Sequence, residues 1–208
     1  MSQISLPFDW PGQGTDDDYL VSEANRIAVR HLEGWQGWPL AVTVLGGPPL
    51  SGRSMLGRRF AALSGGVVID DAQGQDELLL FNAWNDAQTS RRPLLLIGRE
   101  SPTMWQVALP DLRSRLAAAP FISIAQPDEP LARALIERAL ARMGAAHAAD
   151  LPDWLLRRIE RSYAAIAGVT HVLNEAALSS GRKISVAMAK ETLHGSAFLP
   201  IVPDDRHF

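Results

Sequence analysis

The stretch Gly47-Pro48-Pro49-Leu50-Ser51-Gly52-Arg53-Ser54 has the spacing G-x-x-x-x-G-K-[ST], with arginine in the lysine position. Its chemistry is that of a phosphate cradle. Glycines let backbone N–H groups face a phosphate chain, a cation reaches the outer phosphates, and a hydroxyl helps hold Mg²⁺. Gly47, Gly52, Arg53 and Ser54 are therefore candidate nucleotide ligands, and Ser54 is also a candidate Mg²⁺ ligand. Arginine keeps the charge but replaces a compact ammonium with a bulky planar fork, so binding and hydrolysis need not go together. A second constellation follows at Val67-Val68-Ile69-Asp70-Asp71, an apolar strand closed by two acids. Where such loops serve nucleotide chemistry, an aspartate ending a neighbouring strand holds the Mg²⁺ shell. Asp70 fits that role through water, and Asp71 is placed to orient an attacking water.

The elements that position these residues alternate strand and helix, then become helical alone. Residues 1–18 are rich in Pro, Gly and Asp and read as loose up to Tyr19. Ser22 can cap a helix running to about Leu32, with Ile27 and Leu32 among its apolar residues. Leu40–Leu45 has the profile of a buried parallel strand, and the phosphate loop then opens a helix at 54–63. Further strands are predicted at 67–71, 93–97 and 121–124, with helices at 76–88 and 109–118. From Asp128 onward only helices are predicted, at about 130–143, 152–163, 165–180 and 186–193, with Asp128 and Ser185 as caps. This pattern implies an α/β base over 19–127 with a mostly parallel sheet of about four strands. A helical lid over 128–195 and a tail over 196–208 complete the reading. Trp84, Leu80 and Phe81 sit at core spacing on one helix, and Trp154 and Leu155 anchor a lid helix. The arginines near 133–142 and 157–161 read as solvated helix faces.

Composition narrows the function classes. The chain has 208 residues, no cysteine and a net charge of −3. Disulfides and thiolate metal sites are excluded, and a general attraction to nucleic acid or anionic membrane is not expected. No apolar run reaches the roughly 18 residues of a membrane span, and no leader pattern is present, so a cytoplasmic protein is expected. His31, His147, His171 and His194 lack the spacing of a metal site, and no nucleophile elbow occurs.

Several segments together resemble the DnaA-related AAA+ proteins, and within them the Hda-like regulatory inactivators. Ser22-Glu23-Ala24-Asn25-Arg26-Ile27-Ala28 resembles the P-S-N-R-L-A segment of that family, which lies near the adenine. Gly52-Arg53-Ser54 is similar to the arginine-bearing loop of the Hda-like branch. Leu109-Pro110-Asp111-Leu112-Arg113-Ser114-Arg115-Leu116 resembles the L-P-D-L-x-S-R-L box that carries the arginine finger. Gln126-Pro127 matches the start of the lid. At the N-terminus, Gln3-Ile4-Ser5-Leu6-Pro7-Phe8 is similar to a clamp-binding peptide, in which Gln3, Leu6 and Phe8 would make the contacts.

The resemblance implies an AAA+ fold with ADP or ATP and Mg²⁺ as cofactors. It implies Arg115 as a finger supplied in trans to ATP held by DnaA, with the β sliding clamp as a further partner. Sequence-specific DNA binding and membrane association are not implied, and self-association is left open. Arg113, two residues from Arg115, faces a different side of the helix and reads as a surface charge. Three departures weaken hydrolysis in cis. The segment between Ser54 and Val67 has room for one helix only, which should leave the Asp70 strand at a sheet edge. The lid position that normally bears an arginine is Ala164, with Arg161 one turn earlier. The sensor position after the third strand reads Gly98-Arg99-Glu100. A non-catalytic adaptor that binds no nucleotide, and an active phosphate-loop ATPase, are the alternative readings.

Overall fold

The computed structural model describes residues 19–143 and 147–194. Helix α1 (Arg26–Glu33) precedes strand β1 (Val42–Gly46), and α2 (Arg53–Ser64) follows the loop at 47–52. Then come β2 (Val67–Ile69), α3 (Glu77–Ser90), β3 (Leu94–Ile97), α4 (Pro110–Ala118) and β4 (Phe121–Ser123). Helices α5 (Glu129–Arg142), α6 (Leu151–Leu156), α7 (Tyr163–Ser180) and α8 (Val186–Leu193) complete the described chain. The four strands form one sheet in the order β2-β3-β1-β4, and every pairing is parallel. Val42–Leu45 of β1 run alongside Leu94–Ile97 of β3 residue for residue.

Period-two burial explains the layering. Leu45, Leu95 and Ile97 point to one face, where Ala28, Leu32, Leu56 and Phe60 of α1 and α2 cover them. Val42, Val44, Leu94 and Leu96 point to the other, under Leu80 and Trp84 of α3 and Leu112 and Leu116 of α4. Gly57 lets α2 approach closely, because a Cβ there would lie 2.7 Å from Ile97 Cδ1. Strand β2 is the edge, as the shortened segment predicts. Val67 is 37% exposed, and no described strand pairs with the outer side of β2.

Side-chain caps set four of the eight described α-helix starts. Asp76 accepts from Leu78 and Leu79 N–H at 2.8 and 3.1 Å, and Asp128 accepts from Leu131 N–H at 2.8 Å. Ser162 and Ser185 accept from Ala165 and Met188 N–H at 3.1 and 3.2 Å. Two helix boundaries differ most from the sequence reading, and β2 ends at Ile69, leaving Asp70 and Asp71 just past it. Residues 22–25 form a turn, closed by Arg26 N–H on the Ser22 carbonyl at 2.8 Å, so α1 starts later than expected and Ile27 is 72% exposed. The second bundle helix covers only Leu151–Leu156, and Ser162 is extended where it caps α7. Arg133 is not merely a solvated charge. It bonds Asp153 and so ties α5 to α6.

The bundle has its own core, including Ile136, Leu140, Leu151, Leu155, Val169 and Leu173. Polar contacts join it to the base: Asp128 also accepts from Ala24 N–H at 3.2 Å, and Tyr163 Oη donates to the Ala125 carbonyl at 3.2 Å. Within the base, Ala125 N–H donates to the Ala24 carbonyl at 2.8 Å. No described helix is long and apolar enough to cross a membrane.

Candidate functional site

The loop leaves the central strand β1 at its C-terminal end and enters α2. Its backbone takes positive φ at Gly47 (146°), Leu50 (62°) and Gly52 (85°). At Gly47 a side chain is doubly excluded, since a Cβ would sit 3.0 Å from Ile124 Cβ and 3.1 Å from its carbonyl. Gly52 caps α2 in the left-handed region, and the first-turn N–H groups of α2 lack carbonyl partners within the helix. Those groups and the helix dipole favour an anion at this point. Ser51 is buried with a hydroxyl that makes no hydrogen bond. Ser54 lies exposed on the first turn of α2.

Arg53 does not stretch out along the loop. It donates from Nη1 to the carbonyl of Gly98, just past the end of β3. There it lines a cleft of about 260 Å³ with Asp70, Asp71, Ile97, Gly98 and Arg99. Burial lowers the Arg53 guanidinium from its ordinary value, with Asp70 and Asp71 opposing and Arg99 adding to the shift. Asp70 Oδ1 accepts from Asp71 N–H at 2.8 Å, and Gln73 Oε1 accepts from Arg99 N–H at 2.9 Å. The structure thus brings together Arg53, Asp70, Asp71, Gly98 and Arg99. As a Mg²⁺ site this donor set fits poorly. The sequence expectation of Asp70 holding the ion through water meets two guanidiniums, Arg53 and Arg99, in the same cleft.

Two tyrosines that the sequence reading did not single out complete the loop's surroundings. The Tyr19 ring lies against Gly52, 3.1 Å from where a Cβ would stand. Its hydroxyl is buried without a hydrogen bond of normal length, beside Asn25, and burial pushes it far above its usual range. Burial pushes Tyr163 up to about 12, and Asp128 adds to the effect. An aromatic residue three positions ahead of Ser22 is the local signal for Tyr19. At Asp128 burial works against ionisation. The N–H of Leu131, the Ser22 hydroxyl and the N–H groups of Ala24 and Glu23 outweigh it and hold the carboxyl below its ordinary value. Ala164 is exposed in the first turn of α7, and Arg161 is exposed in the turn before it.

Arg115 is elsewhere. Its guanidinium forms a fork on Asp111, with Nε–Oδ1 3.1 Å and Nη2–Oδ2 2.8 Å. It also donates from Nη1 to Asn85 Oδ1 at 2.6 Å and lies 4.7 Å from the Phe81 ring centre. The side chain keeps 30% exposure. Because α4 covers the sheet face opposite α2, Arg115 stands across the sheet from the helix that the protein's own loop opens. Gln3, Leu6 and Phe8 lie outside the described residues.

No family model matches the sequence. An uncharacterized protein of Haemophilus influenzae is 27% identical over 134 residues, or 62% of this chain and 58% of that protein. The chain therefore spans little more than half the length of this relative. Among solved structures, domain III of the Thermotoga maritima replication initiation protein DnaA is similar, with a TM-score of 0.71 at 13% identity. That match covers 86% of this chain and 95% of the other. AMPPCP-bound DnaA from Aquifex aeolicus gives a TM-score of 0.58 at 17% identity over 76% of this chain and 64% of that one. At these identities the likeness is one of fold: a four-stranded parallel sheet flanked by helices, with a helical bundle behind it, resembling the AAA+ domain of DnaA.

Proposed function

We propose that this protein is a clamp-associated regulator of replication initiation that stimulates hydrolysis of ATP bound by DnaA, with Arg115 supplied in trans. The observation that carries the reading is the placement of Arg115. It stands partly exposed on α4, on the sheet face opposite the helix that leaves its own phosphate loop. An arginine so placed is suited to another molecule's phosphoryl group, where a planar cation stabilises the transferring charge. Gly47, Gly52, Arg53 and Ser54 seat ADP or ATP, the bundle over 128–195 acts as a lid, and Gln3, Leu6 and Phe8 dock on the clamp. Seated nucleotide is structural in this reading. Arg53 bound to Gly98 and the absence of a side-chain cation at Ala164 both disfavour turnover in cis.

The test mixes the full chain with ATP-loaded DnaA, sliding clamp and DNA and follows ADP formation. Stimulation that disappears when residues 1–8 are deleted is expected; ADP formation by the protein alone at the same rate would sink the proposal. A second reading is favoured by the hold on Arg115 itself. If its bonds to Asp111 and Asn85 persist in every complex, the chain is a non-catalytic adaptor. Calorimetry then shows no heat with ADP or ATP, and mixing leaves the ATPase rate of DnaA unchanged.

A further inference from the structure

We propose that the loop accepts a nucleoside diphosphate without a divalent metal, the Arg53 guanidinium standing where the ion would. This rests on the reading of Gly47–Ser54 as a nucleotide seat. The cleft beside the loop contains Asp70 and Asp71, and it also contains Arg53 and Arg99, so its fixed charges already cancel. A divalent ion entering it would share the cleft with two cationic side chains, and their like charge opposes it. Arg53 is also anchored, because its bond to the Gly98 carbonyl fixes the head group at the end of β3. An anchored planar fork can give parallel N–H bonds to two phosphate oxygens, which a compact ammonium cannot. Lysine in this position shares the outer phosphates with a metal; arginine turned toward the acids takes over the metal's part of that neutralisation. The Ser54 hydroxyl, exposed on the first turn of α2, then donates to phosphate directly. A third phosphate would compete with the Gly98 carbonyl for the guanidinium, which is why a diphosphate is named.

The two accounts of Asp70 predict opposite signs. If Asp70 balances Arg53, neutralising it leaves the seat more positive and strengthens ADP binding. If Asp70 holds a metal, neutralising it weakens binding in Mg²⁺. The experiment is calorimetric titration of ADP into the full chain, stripped of nucleotide, in Mg²⁺ and in EDTA. Wild type should give dissociation constants within about threefold of each other in the two buffers. Asp70→Asn should bind ADP several-fold tighter in both, and Arg53→Lys should bind only when Mg²⁺ is present. Loss of tenfold or more in EDTA for wild type, or weaker binding of Asp70→Asn in Mg²⁺, overturns the metal-free seat and leaves the nucleotide reading standing. No heat in either buffer overturns both.

Discussion

Removing the acceptor that braces Arg115 should separate its structural contribution from any role in trans. Asn85→Ala deletes the 2.6 Å bond between α3 and the Arg115 guanidinium, leaving the Asp111 fork and the Phe81 contact in place. A hydrogen bond to a charged group is worth roughly 1.5–3 kcal/mol when well buried. At 30% exposure solvent screening reduces this below the range, to about 1 kcal/mol. The i,i+4 pair with Asp111 adds about 0.3–0.5 kcal/mol, and the cation over Phe81 about 0.5–1 kcal/mol. Arg115→Ala should therefore destabilise by about 2 kcal/mol, and the double-mutant cycle with Asn85→Ala should return a coupling of about 1 kcal/mol. In a domain of this size each kcal/mol moves Tm by roughly 2–4 °C. The assay is urea unfolding of wild type, both single variants and the double variant at one temperature. A coupling below about 0.3 kcal/mol would mean that Arg115 is not held by α3, and the argument from its bracing fails.

Other outcomes follow from packing and charge. Gly57→Ala gains about 1 kcal/mol of helix propensity but places a methyl 2.7 Å from Ile97 Cδ1 and 3.2 Å from Val68 Cγ1. Overpacking costs about 1–3 kcal/mol, so a net loss near 1 kcal/mol in urea and weaker ADP binding are expected. Equal or greater stability would show that α2 is not pressed on the sheet. Asp128→Ala removes the α5 cap and the tie to Ala24 together and should cost about 1–2 kcal/mol, read by thermal unfolding. Stability should also fall with acid in two stages. Burial lowers the folded-state pKa of His31, so the unfolded chain takes the proton first and stability declines as pH drops below about 6.5. Asp128, also depressed, contributes stability above about pH 4 that is lost as pH falls through its folded value. His31→Gln should abolish the upper stage, measured as the urea midpoint against pH. A midpoint of wild type that rises between pH 7 and 6 would contradict the assignment.

Much of this architecture is legible in single runs of sequence. Strand β3 is an unbroken apolar stretch, and β1 is apolar but for the buried Thr43, because helices cover both faces; Asp76, Asp128 and Ser185 are short polar residues standing where helix N–H groups need acceptors. The edge position of β2 follows from a segment too short for another strand and helix. Contacts between distant residues were not legible. Asn85 and Arg115 are 30 residues apart and meet only because α3 and α4 share a sheet face. Arg133 and Asp153 meet across the bundle in the same way. The turn of Arg53 toward Gly98 depends on where β3 ends relative to α2, a register set by the sheet. Tyr19 against Gly52 is likewise a tertiary contact, reported locally only by an aromatic residue before a turn.

Action in trans through Arg115 is tested most directly by a single-turnover measurement of ATP bound to DnaA, with clamp, DNA and either wild type or Arg115→Ala. The variant is used at a temperature where circular dichroism finds it fully folded. The account predicts rapid conversion to ADP with wild type and the slow basal rate of DnaA with Arg115→Ala, although the variant still binds the clamp. Equal rates with both proteins would contradict it.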